Sequence, residues 1–225
     1  MKRIIIIITV SFSILIPVAA QLYDQAFTEF YNKTEFIKAL SNPEYKYTGS
    51  PYLNSEYAAG EIHLTSGKVF LNIPLRYNIY NDVIEFEVDG KSYTMNENAG
   101  YNKVLIGEKI FVLTSYTYGG GVKKGHMEIL LEGNIILLKR NSIELQPPEL
   151  PGAYKEAKLA NFRNLKPEYF MAFQGKGAEF FNNEGSLEKI CNCDTDDLNS
   201  FIKKNKIKFN KEESLILLFE YLNNK

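Results

Sequence analysis

The chain has 225 residues, and its 26 lysines and arginines nearly balance its 27 aspartates and glutamates. This balance excludes the strongly basic surface that nucleic-acid-binding proteins carry, and the chain has no polybasic segment for an anionic lipid surface. Two cysteines are too few for a fold built on disulfides. The fold must therefore depend on a hydrophobic core.

The first 20 residues have the layout of a secretory signal peptide. Two basic residues precede an apolar run over 4–16, Pro17 follows, and small residues at 18–20 indicate cleavage before Gln21. The run is shorter than the ~20 residues of a membrane-spanning helix, which disfavours an uncleaved anchor. We predict an exported protein of the periplasm or outer cell envelope, with no transmembrane segment after cleavage.

Alternation of apolar and polar side chains with a period of two indicates two β-hairpins. In the second hairpin, Asp89-Gly90 suits a type I′ turn, in which both central residues need a positive φ. The alternation there predicts that Ile84, Phe86 and Val88 face the core. The four predicted strands are 61–65, 68–73, 83–88 and 91–95.

Short strands continue as far as residue 139. Gly133 separates the last two, and the glycine-rich stretch 118–121 is predicted to be a mobile loop. The additional strands are 104–106, 110–115, 125–131 and 134–139. So many short strands favour a twisted antiparallel sheet, a sandwich or a partly open barrel, and the sequence does not choose among them.

Helical patterns lie near both ends of the predicted mature chain. Thr34 is a plausible N-cap for a helix over 35–40. Near the end of the chain, 196–203 has one apolar face, and Asn210 with Glu213 resembles a capping box at the start of a final helix.

A proline-rich stretch over 146–152 divides the predicted mature chain. We predict a β-rich core with an N-terminal helix over 21–146. In the segment 147–225, a hairpin with strands 169–173 and 178–181 precedes a helical pair packed on that core. The predicted fold class is α+β with β dominant.

No motif predicts a cofactor, a metal site or a catalytic residue. Gly90-Lys91-Ser92 resembles the end of a phosphate-binding loop, but position 85, where the motif needs glycine, is Glu85. The two histidines are not spaced as metal ligands. Cys191 and Cys193 either close a small disulfide after export or serve as structural thiols, and the sequence favours thiols.

Four carboxylates on predicted strands leave a hydrolase open as an alternative, because a glycosidase pair is defined by spatial separation. These residues are Glu61, Glu85, Glu87 and Glu128. Each falls at the solvent-facing position of its strand, so we expect an ordinary solvated sheet face.

The most informative stretch is 74–82, which places an arginine, two tyrosines and two asparagines beside a strand. With the tyrosines upstream, it could line a polar-aromatic groove for a sugar, a peptide or a partner strand. The alternative is that the tyrosines pack on the sheet while the arginine braces a carboxylate. The candidate binding residues are Tyr52, Arg76, Tyr77, Asn78 and Tyr80.

Three features of the sequence carry a resemblance to known proteins. They are the motif at 49–54, Gly60, and the stretch 74–82 with Ile84-Glu85-Phe86. In these features the chain resembles a group of exported hypothetical proteins of Bacteroidota. The tyrosine-rich hairpin, the short helix near Leu187 and the final helical pair are similar as well. No activity is established for that group. The resemblance therefore implies a periplasmic or outer-envelope setting and no catalytic residue.

We expect a non-enzymatic envelope protein that binds a partner or ligand through an aromatic surface of its sheet. The partner would be an envelope protein, a glycan or a lipid, and not a nucleic acid. One alternative is a carrier that holds an apolar ligand in a half-barrel with the helices as a lid. The other is a carboxylate-based hydrolase of envelope polysaccharide.

Overall fold

The computed structural model describes residues 27–30, 37–38, 46–151, 156–191 and 193–225. Within these residues, a helical turn at 27–30 is followed by fourteen strands and three helices. The strands are β1 (Ile37–Lys38), β2 (Tyr47–Thr48), β3 (Ala58–Leu64), β4 (Val69–Asn78), β5 (Val83–Val88), β6 (Lys91–Thr94), β7 (Tyr101–Ile106), β8 (Lys109–Tyr118), β9 (Gly121–Leu131), β10 (Ile135–Arg140), β11 (Ile143–Gln146), β12 (Ala160–Asn164), β13 (Glu168–Phe173) and β14 (Ala178–Phe181). The helices are α1 (Glu184–Cys191), α2 (Thr195–Asn205) and α3 (Glu212–Asn223).

Eleven of these strands form one sheet in the order β1-β6-β5-β4-β3-β7-β8-β14-β13-β10-β9. Strand β8 is its branch point. One edge of β8 pairs with β7 over its first half and with β14 near its end, while β9 pairs along the other edge. The sheet therefore divides at β8 into a curled extension and a separate closed part.

The closed part is a five-stranded barrel, because β9 at the end of the strand order pairs back to β8. The β14–β8 pair is parallel, and the other four pairs are antiparallel. The buried side chains that pack together inside this barrel are Tyr116, Met127, Leu138, Phe170, Ala172 and Ala178. A barrel of so few strands is narrow, so these side chains fill most of its interior.

The curled extension, β7 through β1, encloses a second hydrophobic core. Phe27 of the helical turn packs edge-on against Phe70 and Phe86 in this core. A small sheet of order β11-β12-β2 contributes Ile143 and Phe162 to the same cluster. Residues far apart in sequence therefore meet on one side of β8.

The three helices pack against the outer wall of the barrel. Leu137, Met171 and Phe181 alternate with the interior residues along their strands and contact the buried faces of the helices. Lys139 on β10 donates to Glu212 at the start of α3, at 2.7 Å. None of the helices in the described part of the chain is long and apolar enough to cross a membrane.

The predicted fold class is confirmed: the protein is α+β with β dominant. The two hairpins predicted from alternation form as β3–β4 and β5–β6, and the predicted hairpin after the proline-rich stretch forms as β13–β14. Asp89 and Gly90 have φ values of 50° and 69°, as the type I′ turn requires. Ile84 and Phe86 are fully buried. Between a sandwich and a barrel, the structure has the barrel.

Three local predictions are wrong. Ile37–Lys38 is a strand paired with the edge of β6 rather than part of a helix. The stretch 118–121 is a two-residue hairpin turn between β8 and β9, because Gly119 and Gly120 both adopt a positive φ. Helix α3 begins after Lys211, which has no side-chain capping bond, so Asn210 is not its cap. The predicted signal peptide and the rest of the predicted N-terminal helix lie outside the described residues.

The solvent-facing positions predicted for Glu85 and Glu128 are also wrong, since these side chains are only 1% and 4% exposed. Alternation correctly separates the two faces of β5 and β9. At Glu85 and Glu128, however, other side chains cover the face that was predicted to meet solvent. Arg76 donates to Glu85 and also to the Tyr52 hydroxyl. Lys109 and Lys139 pair with Glu128. Each buried carboxylate is thus compensated by cations, as buried charges must be.

Candidate functional site

The barrel is open at one end, where a cavity of about 530 Å³ enters its interior. Apolar side chains from four strands line its depth. They are Val112 on β8, Ile129 on β9, Ile136 and Leu138 on β10, and Ala172 on β13. Leu138 and Ala172 are buried, whereas the other three are partly exposed.

Strand register shows that these partly exposed residues point inward. Val112 pairs with Met127, and Ile136 pairs with Ala172, so each shares a face with a buried interior residue. An inward-facing apolar side chain of a narrow barrel is normally buried. Here the cavity reaches Val112 and Ile136, and it exposes apolar surface inside the wall.

Polar residues form the rim of this opening. Asn102 and Lys103 come from β7, Thr114 and Ser115 from β8, and Lys176 from the β13–β14 turn. The rim is therefore assembled at the branch point, where β7 and β14 diverge from the same edge of β8. Its charged side chains are both lysines.

Aromatic rings fill the opposite end of the barrel. Phe180 packs edge-on against Tyr118 at 5.1 Å and against Phe170 at 5.5 Å between ring centroids. Arg140 donates to Glu168 at 3.1 Å beside them. A hydrogen bond with Glu168 and the charge of that carboxylate raise the pKa of Tyr118. Ring packing and ion pairing thus occupy this end of the barrel.

The predicted binding residue Arg76 is the centre of a structural brace. Its Nε and Nη2 both contact Glu85 Oε2, at 2.8 and 2.7 Å. Its guanidinium lies between the rings of Tyr52 and Tyr57, 3.9 and 4.3 Å from their centroids. Asn78 donates to the other oxygen of Glu85 at 3.0 Å. The interpretation in which the arginine braces a carboxylate therefore accounts for these contacts without a ligand.

The other predicted site residues on β4 and its turn are divided between the interior and the surface. Tyr77 is buried and donates to Asp82 Oδ1 at 2.7 Å, and burial raises its pKa. Asn78 is fully buried. Neither presents its side chain to a surface ligand in this structure. Tyr80 is 42% exposed and packs edge-on against Phe162. A binding role for the stretch 74–82 therefore stays a prediction, and it depends on Tyr80.

His126 is buried in a hydrogen-bonded cluster rather than placed at the cavity. Its Nδ1 lies 3.0 Å from the backbone oxygen of Asp82 and 3.2 Å from the carboxylate of Asp82. Both are acceptors, so Nδ1 carries a proton, and Nε2 lies within hydrogen-bond distance of the Tyr101 hydroxyl, at 2.9 Å. These bonds tie the β4–β5 turn to β9, and they use both ring nitrogens.

The four carboxylates considered for hydrolysis do not converge on the cavity. Glu61 contacts His63 at 2.9 Å, and Glu85 and Glu128 have the cationic partners described above. None of the four lines the cavity. Among the described residues, no group of three potential metal ligands occurs. The geometry therefore supports neither a carboxylate pair nor a metal centre in the barrel opening.

Cys191 and Cys193 form a disulfide that joins the end of α1 to the segment before α2. The sequence favoured free structural thiols, so the alternative of a disulfide is the one that the structure has. The disulfide packs against the helical cluster on the outer wall. It lies outside the cavity lining.

The cavity residues were missed by sequence reasoning, although a signal was present. The runs Ile135-Ile136-Leu137-Leu138 on β10 and Tyr169 to Phe173 on β13 are continuously apolar rather than alternating. Continuous runs are typical of strands covered on both faces. They could have indicated an enclosed barrel wall, but not which inward residues stay exposed.

A comparison of the chain with protein-family models, curated proteins and solved structures finds no match.

Proposed function

We propose that the protein is a non-catalytic binding protein that holds the apolar part of a small ligand in the open end of its barrel. One observation carries this proposal: Val112, Ile129 and Ile136 line a cavity of about 530 Å³ and are partly exposed there. Covering apolar surface is favourable by ~25 cal/mol per Å². A ligand that covers these side chains gains that energy without rearranging the wall.

The dimensions and chemistry of the cavity support the same proposal. Small-molecule sites usually have volumes of about 300–1,000 Å³, an apolar lining and a few polar groups that fix orientation. The barrel opening has an apolar depth and a polar rim, and aromatic rings occupy the opposite end of the barrel. A ligand in this cavity would enter and leave past Lys103 and Lys176. The helices pack on the outer wall, so this arrangement differs from a half-barrel with a helical lid.

We also propose that binding takes place outside the cytoplasm, in the periplasm or outer cell envelope. The signal-peptide pattern over 1–20 and the resemblance to exported Bacteroidota proteins support this setting. The disulfide between Cys191 and Cys193 supports it as well, because disulfides persist mainly in oxidising compartments.

Partner binding through the aromatic sheet surface is a second proposal, supported by the exposure of Tyr80. Tyr80→Ala is the variant that tests it, because Arg76 and Tyr77 hold internal contacts whose loss would disturb the fold. A partner cross-linked to the protein in its own envelope should be lost in Tyr80→Ala, while the circular dichroism spectrum shows that the variant, which loses one ring contact with Phe162, is still folded. Retention of that partner would contradict this role.

The barrel proposal is tested by filling the cavity. Ala172→Leu adds apolar atoms to a side chain that lines it, whereas Ala58→Leu makes the same change at a half-buried position in the other core. Native mass spectrometry of the mature protein, purified gently from its own envelope, should show a bound small-molecule mass. We expect Ala172→Leu to lose that mass and Ala58→Leu to retain it. A bare wild-type chain, or equal retention by both variants, would contradict the proposal.

A further inference from the structure

We infer that the ligand of the barrel opening is a single-chain amphiphile with an anionic head group, such as a carboxylate or a phosphate. This inference rests on the proposed binding function and names its ligand class. It follows from the separation of chemistry along the cavity. Apolar side chains lie deep, and Lys103 and Lys176 are the charged residues of the lining.

Lys176 is the stronger of the two candidates for contacting the head group. It is exposed on the β13–β14 turn, and its Nζ lies 5.6 Å from the centroid of the Phe173 ring. Among the described residues, no carboxylate lies within ion-pair distance of it. Its charge is therefore directed to solvent at the cavity mouth and is free to pair with an anion.

Lys103 has a carboxylate partner that an anionic ligand would share. Its Nζ contacts Glu132 Oε1 at 2.8 Å, and both side chains are solvent-accessible. An exposed pair of this kind contributes at most ~1 kcal/mol, so little opposes its rearrangement. A second anion near Lys103 would replace Glu132 or form a three-membered cluster with both residues.

Neutral donors on the rim complement the lysines. Asn102 and Ser115 are exposed there, and Thr114 lies between Ser115 and the apolar depth. Hydroxyl and amide groups hydrogen-bond to oxyanions as well as to neutral oxygens. The neutral donors therefore bind the head group whatever its charge, and the two lysines favour an anionic head group over a cationic one. A cationic head would face two ammonium groups without a compensating carboxylate in the lining.

Three probes with the same chain and different heads test the inference: decanoate, decanol and decylamine, titrated calorimetrically below micelle formation. We expect decanoate to bind about fivefold more tightly than decanol, the upper range for one exposed ion pair. Decylamine should bind most weakly. Added salt should weaken decanoate binding and leave decanol binding unchanged, because salt screens exposed charges.

Matched variants locate the effect. Lys176→Gln should lower decanoate affinity about fivefold and leave decanol affinity unchanged. Lys123→Gln is the control. Lys123 is also exposed, and its Nζ lies 5.4 Å from the centroid of the Tyr118 ring, at the end of the barrel opposite the cavity. Glu132→Gln should raise decanoate affinity by releasing Lys103 from its partner.

The outcomes separate this inference from the function on which it rests. Binding of all three probes with equal affinity would overturn the head-group inference and keep the binding function. Failure of every probe to bind would overturn both. Equal losses in Lys176→Gln and Lys123→Gln would overturn the assignment to the cavity rim. Pelleting with phosphatidylglycerol vesicles that Lys176→Gln abolishes, without binding of free decanoate, would overturn a free amphiphile in favour of a membrane lipid.

Discussion

The carboxamide of Asn223 occupies the space into which a side chain on Gly133 would project. Asn223 ends α3, and Gly133 lies in the β9–β10 turn. The Asn223 amide donates to the backbone oxygen of Ile135 at 2.8 Å, and its oxygen accepts from the Ile135 N–H at 2.9 Å. Glycine at 133 thus permits the end of the last helix to dock on the barrel.

This relationship predicts strong coupling between the two positions. Gly133→Ala and Asn223→Ala should each lower the free energy of unfolding by about 2 kcal/mol, since either change breaks the same hydrogen bonds. The double variant should lose little more than the larger single loss. Urea unfolding measures all three. Additive losses would show that the contact does not hold the helix.

The buried carboxylate of Glu128 has two cationic partners, Lys109 and Lys139. Lys139 Nζ lies 3.7 Å from Glu128 and 2.7 Å from Glu212. Lys139→Ala should destabilise the fold by about 2 kcal/mol, because it removes the charged hydrogen bond to Glu212 and one of the two cations beside Glu128, while Lys109 stays in contact with Glu128. The control is Lys158→Ala, which breaks an exposed pair with Glu149 and should cost less than about 1 kcal/mol. Similar losses in thermal or urea unfolding would contradict this account.

The brace around Arg76 predicts that charge alone is insufficient at this position. Arg76→Ala should destabilise by about 3 kcal/mol, because Glu85 is left buried without its cation. Arg76→Lys keeps the charge but loses the two-nitrogen contact and the stacking between Tyr52 and Tyr57, so it should recover part of the loss. Full recovery in Arg76→Lys, measured by urea unfolding, would contradict the importance of that geometry.

Buried tyrosines predict a loss of stability at alkaline pH. Burial raises the pKa of Tyr77 and Tyr101 above the ordinary value of 10.0. Above pH 10 the unfolded chain releases these protons while the folded chain keeps them, so the free energy of unfolding falls as pH rises. Each tyrosine contributes up to ~1.4 kcal/mol per pH unit.

Urea unfolding between about pH 8 and about pH 11 measures this slope. Tyr101→Phe should flatten it, and its loss of the bond to His126 should cost about 1 kcal/mol at neutral pH. A slope in Tyr101→Phe identical to that of the wild-type protein would assign the alkaline loss to other groups.

Local signals predicted three hairpins and the last two helices, because each depends on a few adjacent residues, but they placed a helix where Ile37–Lys38 is a strand. Asp89 and Gly90 fix a turn through their own backbone preferences, and the stripe of α3 appears in its own sequence. Closure of the barrel depends instead on a parallel pairing of Ala178 with Tyr116. No local periodicity encodes which distant strand meets β8, so the sequence left the sandwich and barrel undecided.

The same distinction applies to the site. Alternation placed Glu85 opposite the core face correctly, but it contains no information on what covers that other face. The residue types of the polar-aromatic stretch 74–82 predict a binding surface, but they equally suit an internal contact such as the one between Arg76 and Glu85. The cavity arises where β7 and β14 separate, a feature of tertiary geometry that leaves Val112 and Ile136 without a distinctive sequence pattern.

The shared strand β8 has a consequence for the order of folding. Its partners β7 and β9 are its neighbours along the chain, so the curled extension and the first barrel hairpin depend on contacts between nearby segments. Its third partner, β14, lies about 60 residues further along the chain. Long-range pairings of this kind slow folding and prolong exposure of apolar surface. We expect barrel closure to be the late step, until which the edges of β8 and β10 that pair with β14 and β13 stay open.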